Sequence, residues 1–215
     1  MADHQFSEER CTVINNCLDP FLASPQNIEI PHALYQRYGI QPGDKIVFTL
    51  TRLSSKEKYK GYDKVIEAIS RLNRPDIKYL LAGKYDAEEK NKIENQAKML
   101  GLEGRVIMTG FIPDEELAAH FMMSDVYVMP STKEGFGIVF IEAMYYGLPV
   151  VAGNADGSVD ALLNGKLGRL VTPSNVDEIM AGIGGVLNGD TYRWPERKLL
   201  MEHFGYETYK MQINN

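Results

Sequence analysis

The chain has 215 residues, of which 44% are hydrophobic and 24% are charged, and its formal net charge is −6. This composition is typical of a globular protein with one or two cores and excludes a disordered chain. The acidic balance argues against nonspecific nucleic-acid binding, so an anionic ligand would need a local basic cluster.

The sequence shows no sign of a membrane, redox or metal protein. No apolar run reaches the roughly 18 residues of a membrane span, and residues 1–10 are polar and lack a signal-peptide core. These two features predict a cytoplasmic protein. Cys11 and Cys17 match no zinc or redox spacing and are interpreted as reduced thiols, and the scattered histidines predict no metal site.

The first 40 residues look irregular, with one possible short strand at 11–15 and a helix at 31–39. Six short and continuously apolar runs follow, which is the pattern of strands that are covered on both faces. The predicted strands are 45–51, 77–83, 105–110, 125–130, 148–153 and 167–173.

Helical segments with start and stop signals separate these strands. They are predicted at 61–72, 86–101, 113–123, 138–147, 158–165 and 175–188, with further helices at the C-terminus. Alternating strands and helices predict a single Rossmann-like, doubly wound α/β domain with a six-stranded parallel sheet. We expect an irregular segment at 1–40, a core at 41–190 and C-terminal helices at 191–215. Ligands of such sheets bind past the carboxyl ends of the strands.

The loop after the first strand carries the densest basic cluster of this acidic chain. Arg52 and Lys60 flank the loop, with Lys56 and Lys58 between them and Lys64 just beyond. At a strand end, Arg52 and Lys60 can converge on a diphosphate; a solvated loop is the alternative. Neither a Walker loop nor G-x-G-x-x-G is present, so a dinucleotide cofactor has no direct support.

The stretch 134–147, EGFGIVFIEAMYYG, follows the fourth strand and combines a glycine-rich turn with a helix. Gly135 and Gly137 let the backbone approach a ligand, and the helix start offers N–H groups to an anion. Glu134 and Glu142 would repel an anion, so they favour hydroxyl groups. A ligand with both phosphates and hydroxyls is a nucleotide or a nucleotide-sugar. The alternative is a tight turn with a solvated Glu134. Glu142 lies among apolar residues and needs a partner if it is buried.

Two further loops at strand ends carry weaker signals. After the third strand, Ile112 can offer backbone groups to a base edge, whereas Pro113 and Asp114 are explained by helix capping. After the fifth strand, Gly157 and Asp160 suggest a tight turn into a helix, and we assign Asp160 no role.

The ordered set of motifs resembles the C-terminal domain of the retaining glycosyltransferases of family 4. The motifs are Arg-Leu…Lys-Gly, Thr-Gly-Phe-Ile-Pro, Glu-Gly-Phe-Gly within Glu-x₇-Glu, Gly-Leu-Pro-Val-Val-Ala and Gly-Arg-Leu-Val. The resemblance runs from about Cys11 to the end of the sequence. It implies the GT-B fold, in which two Rossmann-like domains face each other, the C-terminal one binding the nucleotide-sugar donor and the N-terminal one the acceptor.

The resemblance also implies roles for individual residues. It assigns the donor diphosphate to Arg52 and Lys60, and the base to the backbone of Ile112. It assigns Glu134 to the transferred sugar, as the catalytic position, and Glu142 to the ribose. The backbone that cradles sugar and phosphate is that of Gly135, Phe136, Gly137 and Ile138. Two departures are a long loop between Arg52 and Lys60, which leaves Lys56 and Lys58 as alternatives to Lys60, and an aspartate, Asp160, where the family has glutamate.

The implied reaction transfers a sugar, with retention of configuration, from a UDP-, GDP- or ADP-sugar to an acceptor, without a metal or other cofactor. The pathway expected is polysaccharide or glycoconjugate synthesis. We expect the N-terminal acceptor domain to be absent from this chain. That domain, or a partner chain, would complete the enzyme and would mediate any peripheral contact with the inner face of the membrane. The alternative is a noncatalytic nucleotide-binding or interaction module of the same fold. A sugar-nucleotide epimerase is a weaker reading, because G-x-G-x-x-G is absent.

Overall fold

A computed structural model describes residues 13–55, 58–189 and 197–214. Within these ranges, six strands form one parallel sheet, which confirms the predicted architecture. The strands are β1 (Lys45–Leu50), β2 (Ile77–Ala82), β3 (Val106–Gly110), β4 (Val126–Met129), β5 (Val150–Gly153) and β6 (Arg169–Val171). Each strand lies inside the apolar run that predicted it.

Helices connect the strands and complete the described chain. They are α1 (His32–Arg37), α2 (Tyr62–Leu72), α3 (Ala87–Met99), α4 (Asp114–Met122), α5 (Ile138–Tyr145), α6 (Ser158–Ala161), α7 (Val176–Leu187), α8 (Arg197–Phe204) and α9 (Tyr206–Ile213). Short 3₁₀ turns occur at Pro25–Asn27 and Lys58–Lys60. Side-chain caps fix two of the helix starts, since Asp86 accepts a hydrogen bond from a backbone N–H of α3 and Asn175 accepts two from α7.

The helices pack on both faces of the sheet and give three layers with two separate cores. Alternation along each strand divides the core residues, so that Phe48 faces one side of β1 and Val47 the other. The core on the Phe48 side contains α1, α4, α5, α6 and α8, and the core on the Val47 side contains α2, α3 and α7. Strands covered on both faces explain why the apolar runs are continuous.

The strand order is β3-β2-β1-β4-β5-β6, so the winding reverses between β1 and β4. A crevice forms past the carboxyl ends of strands at such a point. The two loops that border it are in contact, because the N–H of Thr132 donates to the carbonyl of Tyr59 at 2.8 Å. Gly61 has a φ of +75°, and a Cβ on it would lie 2.5 Å from the carbonyl oxygen of Pro130. Glycine is required there by backbone conformation and by space.

The predicted strand at 11–15 is wrong in the residues that the structure describes. Residues 13–15 have no regular structure and Val13 is 88% exposed, whereas 11 and 12 lie outside the described ranges. Beyond this stretch, the N–H of Leu18 donates to the carbonyl of Phe204, at the end of α8, at 2.8 Å. The chain that follows residues 13–15 is thus attached to a helix end and not to a strand of the sheet.

The predicted boundary at 190–191 lies outside the described residues, as do residues 1–10 and Cys11. The C-terminal helices are confirmed as α8 and α9. Cys17 is a free thiol. Among the helices in the described ranges, none has both the length and the apolar content needed to cross a membrane.

Candidate functional site

An ion pair spans the crevice between the β1 and β4 loops. Lys60 ends the 3₁₀ turn after β1, and Glu134 lies between β4 and α5; Nζ of Lys60 is 2.6 Å from Oε2 of Glu134. The two side chains are only 13% and 17% exposed, respectively. Charge-assisted hydrogen bonds of this length are strong. The residues that the sequence assigned separately to the diphosphate and to the sugar are therefore brought into direct contact.

The start of α3 anchors the basic loop that carries Lys60. One carboxylate oxygen of Asp86 accepts from the N–H and the hydroxyl of Ser55, at 3.0 and 3.3 Å, and the other accepts from the N–H of Glu89 at 2.8 Å. These donors, first that of Glu89, lower the pKa of Asp86. A β-bridge between Leu53 and Tyr85 adds a second attachment. Sequence reasoning missed Asp86 because an aspartate before a helix is explained by capping alone.

The other basic residues of the cluster differ in where their charges lie. Arg52 is exposed directly after β1, at the carboxyl edge of the sheet. The ammonium of Lys64 faces acids of its own helix, 3.6 Å from Glu67 and 3.9 Å from Asp63. Lys56 and the side chain of Lys58 lie outside the described part of the chain. The structure thus joins Lys60, but not Lys64, to the crevice.

The glycine turn before α5 presents four consecutive backbone N–H groups. Among the described residues, no acceptor takes a hydrogen bond from Gly135, Phe136, Gly137 or Ile138. Gly137 has a φ of +85°, and a Cβ on it would lie 2.4 Å from the ring of Phe140 and 3.2 Å from Cγ of Glu134. The Glu134 side chain therefore lies against the start of the helix. Unpaired N–H groups at a helix start favour an anion.

The neighbouring β5 loop holds the backbone of Glu134. The N–H of Glu134 donates to Oδ2 of Asp156, and the N–H of Gly157 donates to the carbonyl of Glu134 at 3.1 Å. Sequence reasoning missed Asp156. Its only signal was local, an Asp two residues before Ser158 in a turn, which is a common turn pattern.

Glu142 lines a second cavity, of about 450 Å³, between residues 19–28 and α4, apart from the Lys60–Glu134 pair. Its carboxylate makes no hydrogen bond or ion pair with any residue in the described ranges. Burial raises the pKa of Glu142, and the charges of Asp19 and Asp114, which line the same cavity, raise it further. The sequence indicated that a buried Glu142 needs a partner, and the structure supplies two more acids instead.

The predicted base contact, Ile112, lies just after β3 and is 5% exposed, so its side chain belongs to the core. Within the described residues, neither its N–H nor its carbonyl takes part in a hydrogen bond. Its backbone is thus available at the carboxyl edge of the sheet. Asp114 makes no capping bond, because the N-cap of α4 is Pro113 without a side-chain contact. Its carboxylate borders the Glu142 cavity instead.

The titratable side chains of residues 13–55, 58–189 and 197–214 include no group of three or more His, Cys, Asp or Glu arranged to hold a metal ion. The arrangement instead combines cations, backbone N–H groups and two carboxylates at one edge of the sheet.

Comparison with known proteins gives a consistent family. The sequence model of glycosyl transferases group 1 matches residues 33–210. A GDP-mannose-dependent alpha-(1-6)-phosphatidylinositol monomannoside mannosyltransferase of Mycolicibacterium smegmatis is 38% identical over 71% of this chain and 41% of its own. An uncharacterized glycosyltransferase of Methanocaldococcus jannaschii is 28% identical over 94% of this chain and 50% of its own.

Solved structures agree in fold. The crystal structure of HepE from Anabaena in complex with UDP has a TM-score of 0.71 and 29% identity, over 85% of this chain and 50% of that one. WaaG, a glycosyltransferase involved in lipopolysaccharide biosynthesis, has a TM-score of 0.78 over 99% of this chain and 58% of its own, at 19% identity. The chain spans about half the length of these relatives. It belongs to the group 1 glycosyl transferases, with the fold of the C-terminal domain of the GT-B enzymes.

Proposed function

We propose that this chain binds the donor of a retaining glycosyl transfer, a nucleoside-diphosphate sugar, in the crevice past the carboxyl ends of β1 and β4. The observation that carries the proposal is the Lys60–Glu134 pair beside four N–H groups without acceptors in the described chain. A cation and N–H groups suit a diphosphate, and a carboxylate suits sugar hydroxyls. One turn of the chain thus offers both kinds of contact.

In this proposal, Arg52, Lys60 and the N–H groups of residues 135–138 bind the diphosphate and stabilise the charge that grows on it as the sugar leaves. Such preorganised donors supply electrostatic catalysis without a metal. Glu134 contacts the transferred sugar through Oε1, because Oε2 is already paired with Lys60.

Glu142 is proposed to bind the ribose. Two hydroxyl groups would give its carboxylate the hydrogen-bond donors that it lacks among the described residues. The backbone of Ile112 is proposed to meet the edge of the base. The base itself stays open between UDP, GDP and ADP. A relative named for GDP-mannose and a solved structure named for UDP support two different bases.

The complete enzyme is proposed to transfer the sugar to an acceptor held by a second domain or partner chain, in polysaccharide or glycoconjugate synthesis in the cytoplasm, at the inner face of the membrane where the acceptor is lipid-linked. The chain spans half of its relatives, which supports an acceptor-binding half elsewhere. On its own, this chain is expected to bind a donor and to transfer no sugar.

Calorimetric titration of the folded protein with UDP, GDP and ADP tests the proposal. We expect binding of at least one of them, and no binding of any would overturn it. Lys60→Met is expected to weaken binding of the nucleoside diphosphate about tenfold or more, since a charge-assisted hydrogen bond is lost. Lys64→Met is the matched control, because it removes the same charge from a side chain that faces Glu67. Equal losses in both variants would contradict the role of Lys60.

A further inference from the structure

The loop between β5 and α6 holds Glu134 at both of its backbone groups. The carboxylate of Asp156 accepts the N–H of Glu134, and the N–H of Gly157 donates to the Glu134 carbonyl. Hydrogen bonds at both groups fix the orientation of the residue between them. A carboxylate that accepts from a backbone N–H makes one of the stronger hydrogen bonds in proteins.

Asp156 is itself fixed by the start of α6. Its second oxygen, Oδ1, accepts from the N–H and the hydroxyl of Ser158, at 3.3 and 3.2 Å. Ser158 is fully buried. Asp156 therefore connects a rigid helix start on one side to the Glu134 backbone on the other.

The two loops also touch without any side chain between them. A Cβ on Gly157 would lie 2.2 Å from the carbonyl oxygen of Gly135 and 2.8 Å from that of Glu134. The backbones are equally close at the end of β5, where a Cβ on Gly153 would lie 2.1 Å from the carbonyl oxygen of Ser131. Glycine is required at both places by space, because any side chain would push the β5 loop away from the β4 loop.

We infer that Asp156 is a positioning residue for the sugar-binding carboxylate: it fixes the Glu134 backbone, while Lys60 fixes the Glu134 side chain. This inference rests on the proposed role of Glu134. Held at both ends, the carboxylate has its direction set before any ligand arrives, with Oε1 left for a sugar hydroxyl. Such preorganisation matters because misplacement of a contacting group by about 1 Å removes much of its effect.

The first test needs no ligand. In amide hydrogen exchange resolved by NMR, the N–H of Glu134 should exchange about tenfold faster or more in Asp156→Ala than in the wild type, because its acceptor is gone. Asp160→Asn is the matched control. It removes the same charge four residues along, from an exposed side chain, and should leave Glu134 exchange unchanged. Unchanged exchange in Asp156→Ala would overturn the inference.

The second test separates positioning from a merely structural role. Asp156→Ala should keep the affinity for the nucleoside diphosphate within about twofold of the wild type. The affinity for the nucleotide-sugar should fall about tenfold more than that. In a Glu134→Ala background, which has no side chain left to position, it should add no further loss, since Asp156 acts through Glu134. An additive loss, or an equal loss for both ligands, would overturn the inference.

Two more variants serve as a control for stability and as a substitute if Asp156→Ala does not fold. Ser158→Ala removes the hydroxyl bond to Oδ1 of Asp156 but leaves the bond from Asp156 to the N–H of Glu134. It should therefore lower Tm without changing the ratio of the two affinities. If Asp156→Ala does not fold, Asp156→Asn takes its place. The NH₂ group of the asparagine side chain must then face one of the two backbone N–H donors, that of Glu134 or that of Ser158, and the bond to that donor is lost. A wild-type protein that binds no nucleotide but shows the exchange result would overturn the proposed function and leave the positioning of Glu134 standing.

Discussion

The two carboxylates of the Glu-x₇-Glu stretch have opposite environments, although one lies just before α5 and the other within it. Glu134 is neutralised by Lys60 at 2.6 Å and its backbone is held by Asp156. Glu142 has no partner among the described residues and shares its cavity with Asp19 and Asp114. The protein thus compensates one charge internally and leaves the other in a destabilised state.

The difference indicates how each carboxylate would meet a ligand. The Glu134 carboxylate would orient the ligand, since its contacts with Lys60 and Asp156 fix its position before binding. Glu142 would contribute to affinity, because a half-buried carboxylate without hydrogen-bond donors in the described chain gains free energy from a ligand that supplies them. One side of the site is preorganised, and the other holds an unfavourable charge that a ribose would relieve.

The largest expected effect comes from separating the two loops around the neutralised carboxylate. Gly61→Ala should lower the free energy of unfolding by about 2–4 kcal/mol, because it combines a left-handed backbone with a clash against Pro130. Urea unfolding measures this. Gly101→Ala is the control. Its φ is +67° with no atom near the new Cβ, so it should cost only about 1 kcal/mol. Equal losses would show that contact with Pro130 does not constrain Gly61.

A smaller effect is expected when the compensated charge is removed. Glu134→Gln leaves the ammonium of Lys60 mostly buried without a counter-ion and should cost about 1–2 kcal/mol in urea unfolding. Glu88→Gln is a matched control, since it breaks an ion pair with Lys92 of the same 2.6 Å length between more exposed side chains. That loss should stay below about 0.5 kcal/mol. A Glu134→Gln protein as stable as this control would contradict the internal compensation.

Removing the charge of Glu142 should change the free energy of unfolding in the opposite direction to Glu134→Gln. The raised pKa of Glu142 means that its contribution to stability is most favourable below its ordinary value of 4.5 and is lost as the pH rises through the folded pKa. Glu142→Gln should therefore stabilise the fold at pH 7, by about 1 kcal/mol or less. The same change should weaken nucleotide binding about tenfold. Thermal unfolding and calorimetry check the two signs, and a loss of both stability and binding would refute the contrast.

The smallest effect concerns His120, which is fully buried on α4, the helix that also carries Asp114. Its Nδ1 donates to the carbonyl of Glu116 at 2.7 Å, and the hydroxyl of Tyr38 donates to Nε2 at 2.9 Å. This arrangement suits the neutral ring, and burial lowers the pKa of His120. Its contribution to stability is present above the ordinary value of 6.5 and is lost as the pH falls below it.

Urea unfolding between pH 7 and pH 5 checks this dependence. The stability advantage of the wild type over His120→Gln should shrink as the pH falls, by about 1 kcal/mol or less. His203→Gln, at an exposed position, is the control for loss of a histidine at the surface. A difference for His120→Gln that does not change with pH would contradict the preference for the neutral ring. Glu142 and His120 thus give slopes of opposite sign, which the single variants separate.

The strands could be predicted from the sequence because two covered faces make each run apolar throughout. Once the sheet is parallel, every strand ends at the same edge, so the sequence also located Arg52, Lys60, Glu134 and the glycine turn there. The strand predicted at 11–15, which the described residues 13–15 do not form, shows the limit. The apolar pattern is local, whereas the contacts of the neighbouring chain come from far along the sequence, as Leu18 bonded to Phe204 shows.

The pairings within the site could not be predicted for the same reason. Spacing does not say which lysine reaches Glu134, and Lys64 is drawn to acids of its own helix. Asp86 and Asp156 have the local pattern of ordinary caps and turns, so their second contacts, across loops, leave no trace in the sequence. The acids around Glu142 come from two distant segments that only the fold brings together.

The closed Lys60–Glu134 pair also limits how far the charge of Lys60 acts on an ion approaching from solution. A cation that already has its counter-ion projects little field, so Lys60 adds little to the long-range attraction of an anion toward this acidic protein. The contribution of Lys60 to donor binding is therefore short-range and depends on geometry. Lys60→Met should accordingly change the salt dependence of donor association only weakly.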